Sequence, residues 1–468
     1  MARVAVVGGG IAGLGAAYTL KQAGVDVTVF EAASEAGGRM RSQQWGGAWV
    51  DRGAEFIADA DLNHFRPLIA DLGLTKQLKP YPGGKVAFEV WRDGQAHPLS
   101  FTEMTSILTF GAMSRRGKSQ LARLLPALAR QFQRGGGPGF EPWRAAWADD
   151  QSLEDWLGKL APEFLEYAIE PCYNFYCGWE PHETGRGTLV YMTVSYRQTA
   201  AFTFPQGLGQ LTRALAARLD ILNSARVTRV EVGRGPALVE YERDGKLARR
   251  VFDAVIVAVP GSKVAGMVDG LDVGRQSFFE GVRYVPHESP YFKLREQPEG
   301  VPTRVFYPRR EDANIAQLGY EASTTTPDVE FLRVTMKTAY VRSMLEKRDG
   351  EVLDAILDEG ARRYPQVKPL VEGGFIGRWR DGIPMFWPGY LKTLAAFMEL
   401  PPLPSIAFAG DYLAGPSTGA AYVTGQRAVN QVLAYLAGRP AERGWFGFDD
   451  REPPRGYGER ERVNKREQ

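Results

Sequence analysis

Cysteine and histidine are scarce in this chain of 468 residues, with two and four copies. Cys172 and Cys177 are too few for a disulfide scaffold or a cysteine-built zinc site, and their spacing is not that of a redox C-x-x-C pair. His64, His97, His182 and His287 are scattered, and no two share the helical spacing of metal ligands. Net charge is nearly absent too. The 57 basic and 55 acidic residues give +2, which offers no reason to expect nucleic acid as a partner. Long apolar runs are missing: Met1–Leu20 is broken by Gly8, Gly9, Gly10, Gly13 and Gly15, so it fits neither a signal peptide nor a spanning helix. The expectation is a cytoplasmic chain that begins to fold at residue 2.

Glycine, by contrast, is abundant, with 53 residues, and calls for many places where backbone passes close to something. The run Arg3–Val7 (RVAVV) reads as a buried parallel strand, Ile11–Ala23 as a helix ended by Gly24, and Asp26–Phe30 (DVTVF) as a second strand. This is a β-α-β unit at the start of the chain. Asp253–Val259 and Ser405–Ala409 read as further buried strands, 226–232 with 237–243 as a hairpin, and 420–437 as a closing helix. Between Met113 and Gly137 lie six basic residues and no acid, with Leu121, Leu124, Leu125, Leu128 and Phe132 on one helical face. Two readings stay open for that stretch: a solvated helix packed on its domain, or a basic amphipathic surface that touches anionic lipid or guides an apolar substrate. Asp449–Gln468 is highly charged and reads as a tail.

Gly8-Gly9-Gly10-Ile11-Ala12-Gly13 satisfies G-x-G-x-x-G between strand and helix. Gly8 permits the tight turn, Gly10 lets backbone approach a pyrophosphate, and Gly13 lets helix and strand pack closely. The phosphates then sit at the positive end of the helix. Glu31, which ends the second strand, is placed to accept hydrogen bonds from an adenosine ribose, beside Ala32. Gly37, Gly38 and Arg39 follow, the last a fork of donors suited to phosphate.

The stretch V-V-G-G-G-I-A-G-L, F-E-A and G-G-R-M closely resembles the superfamily of flavin amine oxidases, protoporphyrinogen oxidases and phytoene desaturases. The resemblance extends to Asp51-Arg52-Gly53-Ala54-Glu55-Phe56, to Phe204–Leu211, to Gly410-Asp411 and to Gly419–Gly425. It implies non-covalent FAD, held by Gly8, Gly10, Ile11, Ala12, Gly13, Glu31, Ala32, Gly38, Arg39, Gly53, Ala54, Glu55, Phe56, Val227, Gly410, Asp411, Ala421, Tyr422 and Val423. It also implies an α/β fold. Segments 1–75, 205–285 and 375–440 form a Rossmann-like FAD domain, 76–204 and 286–374 a discontinuous sheet-and-helix substrate domain, and 441–468 a tail. Residues 419–421 would start a helix whose unpaired N–H groups meet the flavin pyrimidine edge.

Arg378–Pro384 (RWRDGIP) resembles a protoporphyrinogen oxidase segment, whereas in amine oxidases a Trp here and two further aromatics cage the substrate. Trp379, Trp387 and Tyr422 are the candidates for such contact, with Phe386 as a substitute for Trp387. Many amine oxidases also place a lysine near flavin N5. In the corresponding stretch, His287–Leu294, Ser289 or Pro290 takes that place, with Lys293 close by. An aromatic cluster, Tyr173, Phe175, Tyr176, Trp179, Tyr191, Tyr196, Phe202 and Phe204, reads as core or as the wall of an apolar, planar substrate chamber. The expected activity is hydride transfer from a largely apolar or unsaturated small molecule to flavin N5, with oxygen as reoxidant. An amine oxidase giving an imine and hydrogen peroxide, a flavin-dependent isomerase and a non-catalytic FAD-binding protein are the alternatives.

Overall fold

Val4, Val6 and Val7, with Ala254–Val257 and Ile406–Phe408, are apolar at successive positions, and a strand with that pattern must be covered on both faces. The computed structural model gives them that environment. It describes the chain except residues 82–86, 101–103, 135–138, 196–199, 232, 234, 327 and 440–468. Five parallel strands stand in the order Asp220–Leu222, β2 (Asp26–Phe30), β1 (Arg3–Val7), Ala254–Val257, Ile406–Phe408. Helix α1 (Ile11–Gln22) connects β1 to β2 and packs beside the last helix, Thr418–Leu436. The chain leaves β1 toward β2 on one side and receives Ala254–Val257 on the other. In an open α/β sheet, ligands bind at such a reversal, beyond the carboxyl ends of the strands.

The predicted hairpin is observed as Arg226–Glu231 paired with Ala237–Arg243, in a four-stranded sheet. A second, seven-stranded sheet covers the carboxyl end of the first. Its two longest strands, Arg283–Leu294 and Val371–Met385, run antiparallel, with His287 opposite Trp379 and Val285 opposite Ile383. Pro286 alone on one strand therefore faces Arg380–Gly382 on the other, and that longer segment bulges. Bulges re-aim side chains and carbonyls beside binding sites. A Cβ on Gly382 would lie 2.6 Å from that of His287, so glycine is what allows the bulge to close.

The basic stretch is broken into Arg115–Gln120, a tighter turn over Leu121–Leu124, and Leu125–Gln133 with Pro126 in its first turn. Residues 135–137 of that stretch, Tyr196, and the tail from 440 on lie outside the described residues. No helix among the described residues is long and apolar enough to cross a membrane.

Candidate active site

The loop after β1 shows why three glycines stand where they do. Gly8 has φ +108°, and a Cβ there would lie 2.5 Å from the carbonyl of Ala258. A Cβ on Gly13 would run into the carbonyl of Gly8, so α1 seats directly on its own entry loop. Gly10 differs: a Cβ there meets nothing within 4 Å, because it faces an open cavity. The Glu31 carboxylate accepts from the amides of Gly9 (2.8 Å) and Ala33 (2.7 Å), which ties the loop to the end of β2. Each carboxylate oxygen retains a further lone pair for a ribose hydroxyl.

Arg39 donates to the Asp411 carboxylate (2.6 Å) and to the carbonyl of Gly382 in the bulge (2.7 Å). One guanidinium thus joins the glycine-rich loop, the second sheet and the C-terminal motif. Ala54 donates to the carbonyl of Arg39 (2.9 Å), and the Trp379 indole donates to that of Arg52 (2.5 Å). Gly53 is required between them, since a Cβ there would sit 2.5 Å from the Arg39 carbonyl.

These parts line one cavity of about 1700 Å³. Gly8, Gly10, Ile11, Ala12, Glu31, Ala32, Gly38, Arg39, Gly53, Ala54, Glu55, Phe56, Val227, Gly410, Asp411 and Ala421 all line it, as does Trp379. A dinucleotide fits the dinucleotide end: open space before Gly10, a carboxylate at the end of β2, and the mouth of the parallel sheet. Tyr173, Phe175 and Tyr176 line the cavity too, as do Leu121, Leu124, Leu128 and the exposed Leu125 and Phe132. Of the aromatic cluster, Trp179, Tyr191 and Phe204 are core instead, and Phe202 packs against core.

Several side chains that sequence reasoning aimed at the ligand turn elsewhere. Tyr422 is buried and stacks on Phe65 of α2 (Asp59–Asp71) with ring centroids 4.9 Å apart, over Gly15 of α1. One position along the helix from Ala421 is a turn of about 100°, enough to carry the ring from the cavity into the core. Val423 lies farther round, packed with Phe140, Ala414 and Ala420. Trp387 does not line the cavity; its indole donates to the carbonyl of Gly281 (3.0 Å). Phe386 stacks on Tyr390 in the core. Lys293 pairs with Glu372 (3.0 Å), away from the cavity. The first amides of the last helix are also engaged, Ala420 by Ser417 (3.0 Å) and Gly419 by Asp61 (3.2 Å). The helix also offers its dipole there.

Arg333 and Thr335 on the cavity went unmarked in the sequence reading, whereas Ser289 stood in the stretch that in amine oxidases carries the lysine near flavin N5. His287, Ser289, Arg333 and Thr335 line the cavity from the second sheet. Arg333 donates to Glu55 (2.5 Å) and Glu321 (2.8 Å) and lies over the Tyr291 ring. Burial opposes charge on Glu55, yet Arg333, with a hydrogen bond from Tyr81, outweighs it and holds the carboxyl below its ordinary value. For His287 the sequence signal was period two: in a strand it shares a face with Ser289.

A family model described as flavin containing amine oxidoreductase matches residues 11–433. Protoporphyrinogen oxidase 2 of Arabidopsis thaliana is 23% identical over 93% of this chain and 94% of its own length. Coproporphyrinogen III oxidase of Mycobacterium tuberculosis is 25% identical over 92% and 97%. Among solved structures, a putrescine oxidase superposes with TM-score 0.73 at 20% identity, covering 92% of this chain and 99% of that one. A cyclohexylamine oxidase from Brevibacterium oxydans gives 0.71 at 17%, covering 93% and 99%. With its glycine loop, its acid at the end of β2 and a model match across nearly its whole length, the chain belongs to the flavin-containing amine oxidoreductases and is an FAD-dependent oxidoreductase.

Proposed function

We propose that the protein oxidises a large, unsaturated and largely apolar molecule of the porphyrinogen class, with oxygen as the final electron acceptor. The observation that carries this is the cavity: about 1700 Å³ leaves room for a bulky second ligand beyond the dinucleotide, since ordinary ligand sites span roughly 300–1,000 Å³. Tyr173, Phe175, Tyr176 and several leucines give it an extensive apolar wall. A small amine fits this chamber poorly, because Trp387 and Tyr422 are turned away and leave Trp379 without the facing rings of a cage.

Bound FAD supplies the hydride acceptor, and the protein does the rest. Arg39, fixed by Asp411, keeps the bulge against the glycine-rich loop, and Trp379, tied to Arg52, forms the wall between cofactor and substrate. The apolar walls exclude water. No cysteine occurs between 378 and 425, so we infer non-covalent binding. The mouth carries exposed Leu125 and Phe132 next to Arg123, Arg130 and Arg134, which supports a peripheral contact with anionic lipid at the entrance.

The test is anaerobic mixing of the yellow holoenzyme with protoporphyrinogen or coproporphyrinogen, alongside putrescine and cyclohexylamine. The reading requires flavin bleaching and porphyrin fluorescence with a porphyrinogen. Bleaching by the amines alone would replace it with an amine oxidase.

A further inference from the structure

The oxidation of an N–H compound releases a proton as well as a hydride, and something in the cavity must accept it. Most carboxylates on the wall are committed. Glu31 holds two backbone amides, Glu55 pairs with Arg333, Asp411 with Arg39, Glu288 with Arg378 (3.2 Å), and Asp61 caps the last helix. The thiols of Cys172 and Cys177 and the phenols of Tyr173 and Tyr176 are pushed up by burial and stay protonated. His287 stands apart. Of the four histidines, it is the one on the cavity wall. It lies opposite Trp379 in the strand pair, beside the bulge that receives Arg39.

We propose that His287 is a catalytic residue, the base that takes the substrate's proton, and that Ser289 Oγ, 3.3 Å from its Nε2, accepts from that nitrogen and so leaves Nδ1 as the basic one. This rests on the reading of a porphyrinogen-type substrate. In the step, a C–H bond breaks and its electron pair leaves with the hydrogen as hydride to bound flavin. The conjugated N–H bond also breaks, its pair stays as the new π bond, and the proton goes to His287 Nδ1, the nitrogen that does not face Ser289. The substrate loses two electrons and oxygen finally receives them as hydrogen peroxide.

The surroundings favour a neutral ring. Burial lowers the tendency of His287 to protonate; Glu55, from the loop over 52–56, opposes this, and Arg333, from the strand Glu330–Met336, reinforces it. Glu288, its chain neighbour, is neutralised by Arg378, and Trp379 on the facing strand carries no titrating group. The ring is therefore held neutral at neutral pH, the form that can accept a proton.

Two measurements test this. In rapid anaerobic mixing with a porphyrinogen, His287→Gln should bind flavin and substrate normally but bleach about a hundredfold more slowly, and should lose the acid limb of the wild-type rate profile. His287→Lys, which keeps a base at the site, should recover rate toward high pH. Bleaching by His287→Gln within threefold of wild type, with the same acid limb, overturns the proposal. Wild-type enzyme that no porphyrinogen bleaches overturns the substrate reading instead.

The second measurement needs no turnover and no variant activity. With only four histidines, ring-nitrogen resonances of isotope-labelled holoenzyme can be assigned to His287 by their absence from His287→Gln. A neutral ring at about pH 7.5, protonating below the ordinary histidine value of about 6.5, supports the role. An imidazolium at that pH overturns it, because a charged ring accepts nothing.

Discussion

Glu31 does two things with one carboxylate: it pins the amides of Gly9 and Ala33, and it faces the cavity where a ribose would lie. Replacing it by Ala removes charge-assisted hydrogen bonds worth about 1.5–3 kcal/mol each. FAD affinity should fall at least tenfold, measured by fluorescence titration, with normal reactivity of the flavin that remains bound. Tyr422 makes the opposite case. Its ring fills the space between Phe65 and Gly15, so Tyr422→Ala should cost about 3–5 kcal/mol of stability and leave the bleaching rate per bound flavin unchanged. Denaturant unfolding and rapid mixing separate the two effects. Asp51 offers a pH test. Burial pushes its carboxyl up to about 7, more than the Ser42 hydrogen bond pulls it down. A folded value above the unfolded one means stability is fully present below about pH 4 and is lost as pH rises through about 7. Asp51→Asn removes that titration, so its stability relative to wild type should rise between pH 5 and 8. Urea midpoints at the two pH values check the sign.

Among the elements, the pairing of Arg283–Leu294 with Val371–Met385 decides the character of the site. The bulge at Arg380–Gly382 turns one carbonyl toward Arg39 and leaves His287 on the cavity. The meeting of α1 with Thr418–Leu436 is equally demanding, since a Cβ on Gly425 would collide with the carbonyl of Ala12. Gly425→Ala should force the helices apart, cost about 1–3 kcal/mol, and loosen FAD, because Ala12 and Ala421 both line its cavity. Thermal unfolding together with flavin retention on a desalting column reads both. Element by element, β1, α1, β2, the hairpin and the last helix were legible from the sequence, because each carries its own period and its own stop signal. The broken helix over 115–133 was less so. Pro126 was visible, but the tighter turn at Leu121–Leu124 depends on what the leucines pack against.

For the molecule as a whole, the cavity runs from the carboxyl end of the parallel sheet to a mouth where Leu125 (62% exposed) and Phe132 (54%) meet water. Exposed apolar side chains next to arginines should bring the protein to vesicles containing about 30% anionic lipid, and raising the salt should release it. Flotation assays test this. Leu125→Glu with Phe132→Glu should abolish binding and leave flavin content intact, whereas equal binding to neutral vesicles would exclude an electrostatic contact.

The amino-acid sequence by itself determined the glycine-rich loop and the acid at the end of β2. Gly8, Gly10, Gly13 and Glu31 act within one β-α-β unit, where spacing along the chain is nearly spacing in space. Only the tertiary structure decided what the second sheet and the C-terminal motif bring to the cavity. Arg39 meets Asp411 across 372 residues, Arg333 meets Glu55 across 278, and His287 finds Trp379 through a strand register that a bulge shifts. Such contacts depend on which faces of distant strands and helices are covered. One residue along a strand reverses that choice, and one along a helix turns it by about 100°. That rotation separates Ala421 on the cavity from Tyr422 in the core.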